Sequence, residues 1–355
     1  MNRAPLVTLP PALAAPLAPR ADGARYVLGI DGGATKTLAA VLDLRERTLH
    51  LGHAGPSNED AVGTRLAVAA LLDAADRALA AAGVAQEELA AAVLAVAGTD
   101  TASLDRHLHE TRPQAWIVVN DVVGAWATAT GARPGVGAIS GTGSNVFGVG
   151  RAHGPDGWVG RCWRAGGWGH LLGDEGSGYW LGAQSIVAAL HDRDGSGPPT
   201  ALGDAAVRFF RAPSIEALAA GVYTTPLTKG ELAAFAVETS RLAHAGDVVA
   251  RELFARAAAH LGNQIRAVIL NTGLTGAFPV GLIGSAFRAG EVFLAPLTAA
   301  IHAVAPEADV FPVEMPPVGG SLLLALRACG HEGTMSVEEL HGLIAAAAAD
   351  RAVAR

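Results

Sequence analysis

Two short segments carry the residue types that hold phosphate: Asp31-Gly-Gly-Ala-Thr35, continued by Lys36, and Ser140-Gly-Thr-Gly-Ser144. Without a Cβ, glycine reaches positive φ and lets main-chain N–H groups converge on one anion. Thr35, Thr142 and Ser144 add hydroxyl donors, and Lys36 adds a positive charge. Neither segment has the GxxxxGK(S/T) spacing of a P-loop or a GxGxxG that opens a helix. Each alone reads as an ordinary hairpin turn; together they suggest the two sides of one phosphate cradle. Asp31 closes the apolar run Tyr26 to Ile30, where a carboxylate can hold a magnesium ion through water or simply form the turn. Asn120-Asp121 follows the apolar run Trp116 to Val119. A carboxylate there points into the crevice at the C-terminal ends of strands. It can accept the proton of a hydroxyl during phosphoryl transfer, or cap the helix that follows. The densest stretch is Gly166-Gly-Trp-Gly-His-Leu-Leu-Gly-Asp-Glu-Gly-Ser177. Asp174 could cap a helix there, and Trp168 and Trp180 could be core.

These residues need a frame that brings distant segments together. Each glycine-rich turn lies between two apolar runs, Tyr26 to Ile30 and Lys36 to Leu42, then Val136 to Ile139 and Asn145 to Val149. That is a β-hairpin used twice, the mark of an internally duplicated α/β fold. Between the hairpins lie a helical pattern at Thr64 to Ala82 and apolar strands at Ala91 to Val96 and Trp116 to Val119. The second half turns mostly helical, with patterned runs at Ser177 to Leu190, Lys229 to His244 and Val248 to Leu270. An apolar run ends at Gly284-Ser285, and Val318-Gly-Gly-Ser321 opens another helix. The expected organisation is a disordered Pro/Ala-rich lead-in over residues 1–24, one lobe over 25–130 and a second over 131–355. The final Ala-rich helix is amphipathic enough to pack back onto either lobe.

Composition narrows the function. A chain of 355 residues exceeds one ordinary core, and 50% hydrophobic content supplies two. The formal net charge of -7, with no basic run, argues against nucleic acid or an anionic membrane as partner. Every alanine-rich stretch is broken before the roughly 18 apolar residues a spanning helix needs. Cys162 and Cys329 have no zinc or CxxC spacing and fit a reducing, cytoplasmic compartment.

The motifs resemble the N-acetylglucosamine kinase family, which groups with activator ATPases of benzoyl-CoA reductase and 2-hydroxyacyl-CoA dehydratase. The resemblance is carried by GIDGGATKT at Gly29 to Thr37, GPSN at Gly55 to Asn58, and NDVVGAWATAT at Asn120 to Thr130. SGTGSN at Ser140 to Asn145, GGWGHLLGDEGSGYW at Gly166 to Trp180, GSAF at Gly284 to Phe287 and VGGS at Val318 to Ser321 follow in order. It implies a two-lobed, actin-like ATPase fold of ribonuclease H-like duplicated domains around a central cleft, with ATP and Mg2+ as cofactors. Asp121 would be the base facing a sugar 6-hydroxyl; Asn58 and Asp174 would bind ring hydroxyls. Gly167 and Trp168 would line the sugar pocket, with Gly178 near the acyl group. ATP would lie against Gly32, Gly33, Ala34, Thr35 and Lys36, against Gly141, Thr142, Gly143 and Ser144, and against Gly284, Ser285 and Gly319. Asp31 would hold magnesium through water. The substrate expected first is N-acetylglucosamine and second glucosamine, and the resemblance implies a homodimer. The alternatives are an activator-type ATPase, which needs cysteines for an iron–sulfur cluster, and a sugar-sensing regulator, which needs a basic DNA-binding module.

Overall fold

The strands form where apolar, β-branched runs meet glycine-rich turns, and the helices where the period lengthens to 3.6. The computed structural model describes residues 7–14, 25–98, 101–151, 161–224 and 227–353. A short helix, α1 (Pro11–Ala14), precedes strands β1 (Tyr26–Gly32), β2 (Thr37–Asp43) and β3 (Thr48–Ala54). Helices α2 (Glu59–Val62) and α3 (Thr64–Ala82) follow, then β4 (Leu89–Val96), α4 (Thr101–Thr111), β5 (Trp116–Asn120) and α5 (Asp121–Thr130). The second half runs β6 (Gly135–Ser140), β7 (Ser144–Val149), β8 (Cys162–Gly166), α6 (Gly178–Arg193), α7 (Leu202–Phe210) and α8 (Ile215–Thr224). It continues with α9 (Lys229–His244), α10 (Val248–Thr272), β9 (Pro279–Ile283), α11 (Glu291–His302) and β10 (Asp309–Pro312), and ends with α12 (Val318–Ala328) and α13 (Val337–Val353).

The strands make two five-stranded sheets, ordered β3-β2-β1-β4-β5 and β10-β9-β6-β7-β8. Read in chain order the two are the same design: an antiparallel three-strand meander whose first strand takes two parallel neighbours on its other side. The duplication expected from the two hairpins is thus a duplication of topology. Gly32 pairs with Thr37 at the first hairpin tip and Ser140 with Ser144 at the second. Gly32, Val96 and Asn120 stand in one row across β1, β4 and β5. Ile139 and Ile283 do the same across β6 and β9. Everything that follows these positions emerges at the same edge of its sheet.

Helix α3 covers one face of the first sheet with Val68, Leu71, Leu72, Ala75, Ala78 and Leu79. Each buried leucine of that stripe contributes about 1.5–3 kcal/mol. Gly52 permits the approach, since a Cβ there would come within 2.0 Å of the Ala74 carbonyl oxygen. The second core is built on α10, through Leu253, Phe254, Leu261, Ile265 and Ile269. Between the sheets lie α5, which packs on β6 and β9, and α12, which packs on β1 and β4. All eleven residues of α12 are buried, Ser321 and Arg327 included. The two helices cross at Gly124 and Gly320, where any Cβ on Gly320 would lie 2.0 Å from the Gly124 carbonyl oxygen. Ser321 donates its hydroxyl to the Ile30 carbonyl at 2.7 Å, fastening α12 beneath the first hairpin.

Part of the lead-in is structural. Residues 1–6 and 15–24 of that segment lie outside the described residues, but the described stretch is packed rather than disordered. Leu9 and Leu13 are buried in the core that contains Val318, Leu322 and Leu326, because their side chains cover the outer face of α12. Helices α12 and α13, which follow the second sheet in sequence, lie against the first one; Leu340 and Ile344 of α13 are buried there. Among the described residues no helix is long and apolar enough to cross a membrane.

Candidate active site

The first hairpin tip is clamped by main chain. The Gly33 N–H donates to the Lys36 carbonyl at 3.0 Å, and the Ser57 and Asn58 amides both donate to the Gly33 carbonyl, at 3.0 and 3.2 Å. Thr37 donates its hydroxyl to the Gly55 carbonyl at 2.7 Å and lies 2.8 Å from the Ser57 hydroxyl. A Cβ at Gly32 would stand 2.5 Å from that hydroxyl oxygen, so only glycine fits. The GPSN segment is therefore the floor under the loop. Ala34, Thr35 and Lys36 remain exposed on the opposite side, where a phosphate can be met.

The second tip is clamped by the GDEGS segment. Ser140 donates its hydroxyl to the Gly176 carbonyl at 2.7 Å, Ser144 donates its hydroxyl to the Glu175 carbonyl at 2.8 Å, and the Gly178 N–H donates to the Gly141 carbonyl at 2.8 Å. The Asp174 carboxylate accepts the Ser144 N–H on Oδ1 at 3.0 Å, and the Lys229 ammonium lies 2.7 Å from Oδ2. Asp174 holds φ at +62°, a conformation costly for a residue with a side chain. Its carboxylate is 3% exposed, so most of its polar capacity is turned inward.

At the edge of the first sheet, Asn120 caps α5 by accepting the Val122 N–H at 3.3 Å and donates its amide to the Gly98 carbonyl at 3.1 Å. The capping role open to Asp121 is thus taken by its neighbour. Asp121, half-buried at the first position of α5, is left facing the cleft. Burial pushes its carboxyl up to about 6, although the Val122 amide and the charges of Arg164 and Lys229 oppose the rise. Asp31 is pushed up to about 7 by burial and by the negative charge of Asp121, against Lys36. A buried carboxyl whose proton affinity is raised further by a neighbouring carboxylate is an arrangement a divalent cation relieves. Asp31, with Asp121 beside it, would be the residue to hold such a cation. Asn58 caps α2 by accepting the Asp60 N–H at 2.9 Å and flanks Gly98, which brings it beside Asn120 and Asp121.

The second sheet answers with cations and unpaired polar atoms. Arg164 on β8 lies with its guanidinium carbon 5.2 Å from the centre of the Trp168 ring; burial lowers its pKa and Asp121 raises it. Buried atoms without a hydrogen-bond partner cluster here: Arg164 Nε, Asn145 Oδ1 and Gln264 Oε1. The Asn145 and Gln264 amides press on Gly167 and Gly166, whose positive φ values turn the chain at this point. Buried polar groups are normally paired, so such a group of orphans has capacity for water or a polar ligand. Trp168 is 55% exposed and so is not core.

On the far side of the second loop lies a cavity of about 530 Å³, lined by Gly141, Thr142, Gly178, Gly230, Ser285 and Arg288 among others. It has the size and the mixed lining of a nucleoside pocket. Gly284 passes directly beneath the loop, where a Cβ would meet the Ser140 carbonyl oxygen at 2.2 Å. Two expected positions fall elsewhere. Gly178, assigned to the sugar, lines this cavity because its amide is bonded to Gly141. Gly319, assigned to adenosine, is packed inside α12 under the Met315 side chain and does not line the cavity. Arg164 and Lys229 were not singled out from sequence. A cation beginning a capped helix is a common surface feature, and no local pattern announces its partner 55 residues away.

Two duplicated sheets, a glycine-rich loop at the edge of each, and paired acids between them define an actin-like nucleotide-binding ATPase fold. Residues 28–319 match the model of the BadF/BadG/BcrA/BcrD ATPase family, and the chain belongs to that family. It is similar to an N-acetylmuramic acid/N-acetylglucosamine kinase of Clostridium acetobutylicum, 33% identical over 69% of this chain and 79% of that one. An N-acetyl-D-glucosamine kinase of Dictyostelium discoideum is 28% identical over 84% of this chain and 97% of that one. Among solved structures, one described as an N-acetylglucosamine kinase from Chromobacterium violaceum shares the fold with a TM-score of 0.66 at 24% identity, covering 85% of this chain and 99% of that one.

Proposed function

We propose that this protein is an ATP-dependent amino-sugar kinase that phosphorylates the 6-hydroxyl of N-acetylglucosamine or a close relative. The observation that carries it is Asp121: a half-buried carboxylate, relieved of capping, beside two phosphate cradles and a cluster of unpaired polar atoms. Named relatives that act on amino sugars support the substrate class. Near pH 7 a group titrating at about 6 is mostly ionised yet close enough to accept a proton in the transition state.

The residues divide the work. The amides and hydroxyls of residues 32–35 and 140–144, with Lys36, hold the triphosphate, and the base and ribose take the cavity at Gly178, Gly230 and Ser285. Asp31 would hold magnesium through water; the ion supplies charge neutralisation on the phosphates. Asn58 and Asp121 receive sugar hydroxyls, and Asp174 leaves Oδ2, shared with Lys229, for another. Asp121 orients the acceptor hydroxyl and takes its proton as the new O–P bond forms and the bond from the γ-phosphorus to the departing ADP breaks. The activator-type alternative loses support from the cysteines. Cys162 and Cys329 are both buried in the core, and among the described residues no group of three or more histidine, cysteine or acidic side chains could hold a metal ion.

The test is ADP release from ATP and magnesium with N-acetylglucosamine, glucosamine and glucose supplied separately. Release that depends on an amino sugar and yields the 6-phosphate supports the proposal. ATP turnover indifferent to every sugar refutes it.

A further inference from the structure

We propose that Lys229 is a further catalytic residue, whose ammonium meets the phosphoryl group as it passes from nucleotide to sugar; this rests on the kinase reading above. Lys229 opens α9, whose start is fixed by a capping box between Thr228 and Glu231. A cation in the first helical turn opposes the helix dipole and is locally disfavoured. Helix formation therefore does not account for a lysine at this position; what the side chain faces does.

Its surroundings place it in the cleft. The neighbouring Gly230 lines the cavity of about 530 Å³ together with Gly141 and Thr142 of the second loop. The Lys229 Nζ lies 3.0 Å from where a Cβ of Gly143 would stand and 2.7 Å from Asp174 Oδ2. Asp174 in turn accepts the Ser144 amide on Oδ1. Along the loop, residues 141 and 142 thus face the nucleoside side, Gly143 faces the ammonium, and Ser144 is tied to the acid assigned to sugar hydroxyls. The charge of Lys229 also reaches Asp121, whose proton affinity it lowers. The ammonium stands between the donor cavity and the acceptor's base, on the path of the phosphoryl group. Arg164, the other cation here, pairs with Phe147 on β7, three residues beyond Ser144 and roughly 10 Å along the strand from the loop.

Asp174 positions the ammonium without using it up. The 2.7 Å approach joins the two charges, yet Oδ2 has no aligned hydrogen bond, so the donors of Lys229 stay open to a second anion. A cation already fixed in place needs no reorganisation when charge spreads over the phosphoryl oxygens, which is how such groups lower the barrier. Lys229 makes and breaks no bond in this step. The acceptor's proton goes to Asp121, the phosphoryl group moves from the ADP oxygen to the sugar oxygen, and the ammonium neutralises the oxygens in transit.

The experiment measures kcat and sugar KM in the full-length enzyme with N-acetylglucosamine, for wild type, Lys229→Met and Lys229→Arg. Affinity is titrated, with the sugar present, for ADP alone and for ADP with aluminium fluoride, a mimic of the phosphoryl group in transit. In Lys229→Met, kcat falls about a hundredfold, affinity for ADP with aluminium fluoride falls at least about tenfold, and affinity for ADP alone changes by less than about threefold. Lys229→Arg restores part of both losses. An Asp174→Asn background separates this from a structural role. If Lys229→Met has no further effect on kcat there, Lys229 only neutralises Asp174 and the proposal is overturned. A raised sugar KM in Lys229→Met with kcat preserved overturns it too. The side chain is 34% exposed, so the variant is expected to fold; should it not, Lys229→Gln is read in the same way. Sugar-dependent turnover insensitive to Lys229→Met overturns the proposal alone. Wild-type ATP turnover that neither N-acetylglucosamine nor glucosamine stimulates overturns the kinase reading with it.

Discussion

The two hairpin tips have one topology and opposite chemistry. The first is held by neutral contacts, the Ser57 and Asn58 amides on the Gly33 carbonyl and the Thr37 hydroxyl on Gly55, and its half of the molecule contributes acids to the cleft, Asp31 on the hairpin and Asp121 at the start of α5. The second adds to its neutral contacts a charged one, the Ser144 amide on an Asp174 carboxylate paired with Lys229, and its half of the molecule brings cations, Arg164 and Lys229, to face those acids. Duplication thus reproduced the backbone cradle, and the sequences diverged in which half carries which charge. The Asp121 carboxyl is thus tuned from across the gap, so its ionisation depends on how the two halves meet.

The largest effect expected is from Asp121→Asn, which keeps shape and removes the proton acceptor. Turnover should fall at least a hundredfold with ATP affinity nearly unchanged, read from steady-state kinetics and nucleotide titration. Normal turnover would take Asp121 out of the chemistry.

Next comes the charged clamp. Asp174→Ala strands the Ser144 amide and leaves Lys229 without its counter-charge. We expect a sugar KM at least tenfold higher and a stability loss of about 1–3 kcal/mol by thermal or denaturant unfolding. Unaltered sugar affinity would confine Asp174 to holding the loop.

The acids of the first half make a pH prediction. Asp31 and Asp121 titrate at about 7 and about 6 in the folded protein, against an ordinary 3.8. The folded state then binds more protons than the unfolded one between about pH 4 and 7, so this pair costs stability as pH rises through that window. The Tm contribution should decline from pH 5 to 7.5, and less steeply in Asp31→Asn, where Asp121 alone remains. Activity should move the other way, dropping below about pH 6 as Asp121 takes up its proton. A Tm that rises equally in wild type and variant across that window would contradict the assignment.

The smallest effect sharpens the comparison. Ser57→Ala touches the neutral clamp and should cost only about 0.5–1.5 kcal/mol, with ATP affinity changed no more than about threefold. If Ser57→Ala damaged catalysis as much as Asp174→Ala, the contrast between the clamps would fail.

Much of the frame was legible because it is local. The helix expected at Thr64 to Ala82 forms with those bounds, closed by Gly83 in the left-handed conformation. Both hairpins, the strand before Asp121 and the helices beginning at Lys229 and Val248 also formed where apolar period and turn residues put them. Strand β8 was missed, since Cys162-Trp-Arg-Ala-Gly166 has little alternation and gains its order from pairing with β7. The burial of Leu9 and Leu13 was missed as well: in a proline-rich stretch, nothing local signals the waiting face of α12.

The sequence by itself determined the loops, the acid at the end of β5 and the doubled plan, because glycine conformations, strand alternation and residue type act over a few neighbours. Only the tertiary structure decided that Asn120 rather than Asp121 caps α5, that Gly178 lines the cavity beside the second loop, that Gly319 serves helix packing, and that Arg164 and Lys229 act on the Asp121 carboxyl. Those outcomes depend on desolvation and on contacts between residues tens to hundreds of positions apart, which take their values only when the two sheets close around α5 and α12.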